Sequence, residues 1–347
     1  MIEKRPRREA WLFTACFAAV SLILVAALAT WTPFDVAPQD ARMRFGVCVS
    51  LKYGAMEDFA ASGLHLGWYH DYRFQIRPPR PGGVDYAQTV WGYPPDWKAL
   101  AAAVLLNRGS LWFVGNEPDN KHQDPHPPDE YARVYHDVYW FIKRLDKSAL
   151  VAIGGISQPT PLRLLWLELV LSAYEEQYGR PMPVDVWNIH AGITREQQGS
   201  WGSDVPVGLA VTEGQLYALE DSANADIFFE YIRTFRRWMR DHGYQDRPLI
   251  VSEFGVFQPA EYGFPPGRVS EFMRATCRFM LAARDESLGY PADEYRLVQR
   301  WAWFSLNEPP WNEDTGTGYN GHLLDWETGI LTPMGWTYNS LILAASD

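Results

Sequence analysis

Eight short apolar runs, separated mostly by amphipathic stretches, limit what this chain can fold into. They fall at 44–50 "RFGVCVS", 65–71 "HLGWYHD", 84–90 "VDYAQTV", 111–116 "LWFVGN", 149–155 "ALVAIGG", 184–190 "VDVWNIH", 249–255 "LIVSEFG" and 298–305 "VQRWAWFS". Such runs alternating with helical patterns read as parallel strand–helix units, and eight of them predict a (β/α)8 barrel, an α/β fold.

Two helices are plain in the pattern. Within 129–146, Tyr131, Val134, Tyr135, Val138, Ile142 and Leu145 recur at helical spacing behind Pro127 and Pro128. Within 223–241, Ile227, Phe228, Tyr231, Ile232, Phe235, Trp238 and Met239 do the same, with Arg233, Arg236, Arg237 and Arg240 on a solvated face. Weaker helices are expected at 54–63, 96–107, 161–178, 268–285 and 335–345. Between the second and third runs stands "YRFQIRPPRPGG", too rich in proline for a helix. The longest irregular stretch, 191–221, follows the sixth run and is expected to overhang the barrel mouth. Nothing inside 42–347 marks a second domain or an internal repeat, so this span is expected to be one barrel.

Residues 1–10 carry Lys4, Arg5, Arg7 and Arg8, and 11–31 contain no charge. At 1.5 Å per residue a helix over 11–31 is about 31 Å long, roughly one hydrocarbon core. The basic flank keeps residues 1–10 cytoplasmic, so the segment reads as a transmembrane anchor or a signal peptide. Ala27-Leu28-Ala29 resembles a cleavage site. Residues 32–41 read as a linker, and the rest of the chain is expected to be extracytoplasmic.

A net charge of −11 leaves nothing to neutralise a phosphate backbone, which argues against a nucleic-acid partner. Cys16, Cys48 and Cys277 have no metal spacing, and the last two read as buried thiols. His122 and His126 flank Pro125 in a non-helical context, so no metal set is expected, though Asp119, Asp124 and Asp129 give a weak calcium pattern. Phosphate-loop, dinucleotide and nucleophile-elbow signatures are absent from the sequence, so no cofactor is expected. Aromatic residues make up 15% of the chain, enough either to fill a large core or to line a sugar-binding cleft with flat faces.

In a barrel of this kind chemistry sits at the C-terminal ends of the strands. Glu117 ends the fourth run and Glu253 the seventh, each costly to bury without a purpose. A structural alternative pairs either one with a barrel arginine such as Arg300. Two carboxylates facing across a cleft are what glycosidic cleavage needs, one to protonate the leaving oxygen and one to attack the anomeric carbon or activate water.

Asn116-Glu117 at the fourth tip with Glu253 at the seventh resembles the clan-A (β/α)8-barrel glycoside hydrolases, nearest to the endo-β-1,3-glucanase-like catalytic domains. That resemblance implies Glu117 as general acid/base, Glu253 as nucleophile, retention of configuration, and Asn116 on the sugar 2-hydroxyl. It also implies a contact from His190, at the sixth tip, to the nucleophile or sugar, and Trp303 as the floor of the cleavage subsite. Trp68 and Tyr69, near the end of the second strand, are further candidates to bind sugar. A charged Glu253 nearby is expected to raise the Glu117 pKa.

The second Asn-Glu-Pro, at Asn307-Glu308-Pro309, reads as turn chemistry after the eighth strand, with Glu308 a reserve candidate for the acid. Three other readings stay open: a carbohydrate-binding barrel without catalysis, a transglycosylase remodelling surface polysaccharide, and an anchored scaffold.

Overall fold

The computed structural model describes residues 33–346, so the expectation for 11–31 lies outside the described residues. Every expected strand is present: β1 Phe45–Cys48, β2 Trp68–His70, β3 Asp85–Tyr86, β4 Gln88–Val90, β5 Leu111–Val114, β6 Leu150–Ile153, β7 Trp187–His190, β8 Leu249–Phe254 and β9 Arg300–Trp303. The third expected strand is broken at Ala87 into β3 and β4. Its first half pairs with β2 and its second with β5.

All ladders are parallel, in the order β3-β2-β1-β9-β8-β7 and β4-β5-β6. Parallel bridges Ala152↔Val186 and Ile156↔Ile189 join β6 to β7 and close the ring. The result is the expected barrel.

Among the described residues, six α-helices surround it: α1 Trp97–Leu106, α2 Pro128–Leu145, α3 Pro161–Tyr178, α4 Ala225–Asp241, α5 Pro266–Ala282 and α6 Pro333–Ser346. Asp96 caps α1 through the amides of Lys98 and Ala99. Prolines begin α2, α3, α5 and α6, where the missing N–H costs no helical bond. As the proline content required, no α-helix joins β2 to β3. The helix expected at 54–63 is absent too: only short 3-10 turns, Leu51–Tyr53 and Met56–Phe59, occupy that connection. Gly54 between them has φ 119°, which a right-handed helix does not accept.

Two apolar layers hold the barrel. Between strands and helices lies the larger, containing Phe45, Trp112, Tyr131, Trp166, Trp187, Trp301 and Trp303. Inside the ring, Cys48, Trp68, Ala87, Phe113, Ala152, Val186, Ile250 and Ala302 stack over Phe34, which plugs the base. Gly46 is required there, because a Cβ would enter the Trp68 indole. The stretch expected as a linker is therefore docked from residue 33 onward. Phe34 donates its backbone N–H to Gly109 O at 2.9 Å, and Arg44 is buried against Asp293 at 2.7 Å.

Candidate active site

The chain leaves β5 through two left-handed residues, Gly115 (φ 84°) and Glu117 (φ 45°). Glycine tolerates this; glutamate does so at a cost of about 1–2 kcal/mol. The surroundings hold the turn: Glu117 N–H donates to Gly155 O at 3.1 Å, and Asn120 N–H donates to Glu117 O at 2.9 Å. Strain held this firmly is a mark of a site that needs one side-chain direction. Here it aims the Glu117 carboxylate back over the barrel.

Glu253 is aimed differently. Ile250 faces the interior and Val251 the helices, so strict alternation would turn residue 253 outward. A register shift between Val251 and Phe254 inserts an extra step, and Glu253 turns inward while Phe254 packs on Phe228 and Trp303. Such a bulge re-aims one side chain without disturbing its neighbours.

His190 lies between the two. Its Nδ1 is 2.8 Å from Glu117 Oε1 and 3.9 Å from Glu253 Oε2. Asn120 donates to Glu117 Oε2 at 2.6 Å, and the Tyr72 hydroxyl donates to Glu253 Oε2 at 2.6 Å. One donor atom from each of Glu117, His190 and Glu253 lies within 4.8 Å of the others, the one grouping among the described residues with the residue types and spacing to hold a metal ion. A proton on His190 suffices to bridge it.

The charges follow from these contacts. Burial pushes the Glu117 carboxyl upward, but hydrogen bonding and charge from His190, the Asn120 amide and Arg163 outweigh it and hold the pKa below its usual value. Burial raises Glu253, and Glu117 adds to the effect; His190 and Tyr72 offset it only in part. Burial pulls His190 down, but the two carboxylates carry it above its ordinary value. The expectation of a raised Glu117 is thus reversed, because the cation of His190 stands nearer to Glu117 than to Glu253.

The cleft above these groups measures about 440 Å³. Asn116 lines it beside Glu117 and Glu253. Trp68, Tyr69 and Trp303 do not. Trp68 lies inside the barrel near its base, its indole N–H donating to Arg44 O at 3.2 Å. Tyr69 faces outward against Tyr86 and donates to Pro79 O. Trp303 is on the helix side of β9, packed on Phe254 and Tyr338, with its indole N–H on Gly321 O at 2.6 Å.

The strand-end parity that misplaced these residues brings others in. Along β2 and just past it, Trp68 stacks on His70 with ring centroids 6.1 Å apart, His70 meets Tyr72 edge-on at 4.8 Å, and Tyr72 reaches the cleft. Past β9, Phe304 takes the position expected of Trp303. The remaining aromatic walls come from loops: Trp91, Phe257, Tyr262, Trp311 and Tyr319. Alternation in the sequence could have found Tyr72 and Phe304; the loop residues carry no such signal.

The long loop 191–221 does overhang the mouth, contributing Thr194, Gly202 and Ser203. The fully buried Arg163 of α3 fastens it. Its guanidinium pairs with Asp119, two residues past Glu117, donates to Glu196 Oε1 at 2.7 Å, and donates to Asp204 O at 2.8 Å. Arg300, the alternative partner for the glutamates, instead pairs with Asp85 at 3.1 Å near the barrel base. In the second tripeptide, Asn307 staples loops by donating to Ser50 O and Gly54 O, and Glu308 is outside the cleft lining.

No protein-family model and no curated protein matches the chain. Solved structures do. An endo-β-1,3-glucanase of GH128 subgroup II from Pseudomonas viridiflava is 18% identical at TM-score 0.56, covering 86% of this chain and 97% of its own. A curdlan-specific exo-β-1,3-glucanase of subgroup III from Blastomyces gilchristii, in complex with glucose, is 16% identical at TM-score 0.57, covering 87% and 100%. A subgroup I endo-β-1,3-glucanase from Amycolatopsis mediterranei, a variant in complex with laminarihexaose, is 15% identical at TM-score 0.54, covering 86% and 99%. The described barrel therefore has the fold of these GH128 β-1,3-glucanases.

Proposed function

We propose that this protein is a retaining glycoside hydrolase acting on β-linked glucan, with β-1,3-glucan the first substrate to test. The observation that carries the reading is the pairing of Glu117 and Glu253 across an aromatic cleft, one carboxylate oxygen of each within 4.8 Å of the other. Retaining enzymes hold their carboxyl groups about 5–5.5 Å apart, and inverting ones about 6.5–9.5 Å apart to admit water. The glucanases that share the fold support the choice of glucan.

In this reading Glu253 attacks the anomeric carbon while Glu117 protonates the leaving oxygen. The resting proton sits on the His190–Glu117 hydrogen bond. As Glu253 becomes an ester its charge disappears, and with it the strongest force holding the proton on His190. The proton then passes through Glu117 to the departing oxygen. Water, deprotonated by Glu117, hydrolyses the ester in the second half. In the same reading Asn116, on the cleft wall, hydrogen-bonds the sugar 2-hydroxyl.

We assign residues 42–347 as the catalytic barrel, and the basic and uncharged segments at 1–31 support its export behind an anchor or signal. The test incubates the protein with laminarin, curdlan and β-1,4- and mixed-linkage glucans, following products by chromatography and the first-formed anomer by NMR. Release of β-anomer from one polymer, falling by about 10³-fold or more in both Glu117→Gln and Glu253→Gln, is the expected result. First-formed α-anomer, or turnover surviving in both variants, would overturn the mechanism. Products longer than the input would mean transglycosylation.

A further inference from the structure

From the base of the barrel, the end opposite the cleft, we propose that the protein seats on an anionic lipid surface. The chain enters the described structure there. Phe34 plugs the ring beneath Trp68, and Pro33 lies against Gly109. Around that entry point the surface is unusual for an acidic protein. Leu105 and Leu106, at the end of α1, are 49% and 57% exposed. Ile76 is 42% exposed and is held beside them, because Asn107 Nδ2 donates to its carbonyl at 3.0 Å. Arg77, Arg108 and Lys147 are exposed around these apolar side chains. Arg108 stands next to Gly109, and Lys147 follows Asp146, whose carboxylate accepts the Gly109 N–H at 2.6 Å. Asp35 and Asp40 are exposed acids at the same edge, and Arg108 also pairs with the Asp146 carboxylate at 3.8 Å.

Apolar side chains ringed by long basic ones fit the headgroup boundary, where the former enter the acyl region and the latter reach phosphates. Chain length points to the same occupant. The uncharged run ends at Trp31, two residues before Pro33. Two residues reach at most about 7 Å, so, resting on the proposed reading of 11–31 as an anchor, the base lies within that reach of a bilayer. The cleft then faces away from the membrane, toward polymer outside the cell. This orientation is independent of the chemistry at the mouth.

The test uses the full chain with Cys16→Ser, which leaves only buried thiols, and one introduced cysteine carrying an environment-sensitive fluorophore. The variants Leu106→Cys and, in the exposed loop at the opposite end, Glu313→Cys are reconstituted into vesicles of phosphatidylcholine and phosphatidylglycerol with brominated acyl chains. The label at 106 is expected to be quenched roughly twofold or more and the label at 313 to be unaffected. Adding Arg108→Ser with Lys147→Ser is expected to diminish the quenching at 106. Absence of quenching at 106, or equal quenching at both positions, overturns the proposed seating. Quenching at 106 that ignores loss of both basic residues overturns the part given to anionic headgroups.

Discussion

The imidazole Nδ1 of His190 donates to Glu117 Oε1 across 2.8 Å, and this bond sets the charge of the site. Folding raises the His190 pKa and lowers that of Glu117. The raised histidine contributes stability that is complete below its unfolded value of about 6.5 and is lost as pH climbs through the folded value above it. The lowered glutamate contributes stability present above about 4.3 and lost as pH falls through its depressed folded value. Thermal melts across pH are therefore expected to peak between these limbs. In His190→Gln both limbs should flatten; a profile identical to that of the parent would refute the ion pair.

Gly155 makes room for that histidine, since a Cβ there would overlap the His190 ring. Its carbonyl also accepts the Glu117 N–H. Gly155→Ala is expected to lower kcat by about 10-fold or more by pushing the imidazole off Glu117. Circular dichroism should show the fold retained. Unchanged kcat in a folded variant would mean that the imidazole position does not matter.

Tyr72 is the hydroxyl that steadies Glu253, at 2.6 Å. A hydrogen bond to the charged form lowers an acid's pKa, so Tyr72→Phe should raise Glu253 further above its usual value. The acid limb of kcat/KM is expected to move to higher pH, with kcat lowered about 10- to 100-fold. A limb that stays in place would detach Tyr72 from the nucleophile.

Arg163 is a buried cation shared by Asp119, Glu196 and the loop carbonyl of Asp204. Arg163→Met strands two buried carboxylates and should cost about 3–5 kcal/mol in denaturant unfolding. Its charge also holds the Glu117 pKa down. The alkaline limb of activity should therefore move upward in whatever fraction remains folded, and Arg163→Lys should restore part of both losses. A loss below about 1 kcal/mol would contradict the keystone role.

Trp303 and Trp91 separate packing from binding. Trp303 is fully buried between β9 and α6, so Trp303→Ala should cost about 3–5 kcal/mol and leave KM nearly unchanged. Trp91 is 40% exposed on the cleft wall. Trp91→Ala should raise KM roughly 2- to 10-fold with stability shifted by less than about 0.5 kcal/mol. The opposite pattern would restore Trp303 as a sugar platform.

The positions of the eight strand segments, the parallel barrel and the two tip glutamates were legible in the sequence, because burial on both faces writes itself as continuous apolar runs and a carboxylate inside such a run stands out. The absent helix between β2 and β3 was equally legible, since proline acts through local backbone geometry. The missing helix at 54–63 was not, because a helical pattern there competes with tertiary packing and the turn at Gly54. The side chains that enter the cleft were decided only in three dimensions. Strand parity at the tips put Tyr72 and Phe304 inward and Trp303 outward, and a bulge reversed it for Glu253. Loops distant in sequence brought Trp91, Trp311 and Tyr319 together. The protonation pattern of the site was likewise a matter of tertiary structure: Coulomb interaction depends on distances of a few ångströms, and no spacing along the chain revealed that His190 stands closer to Glu117 than to Glu253.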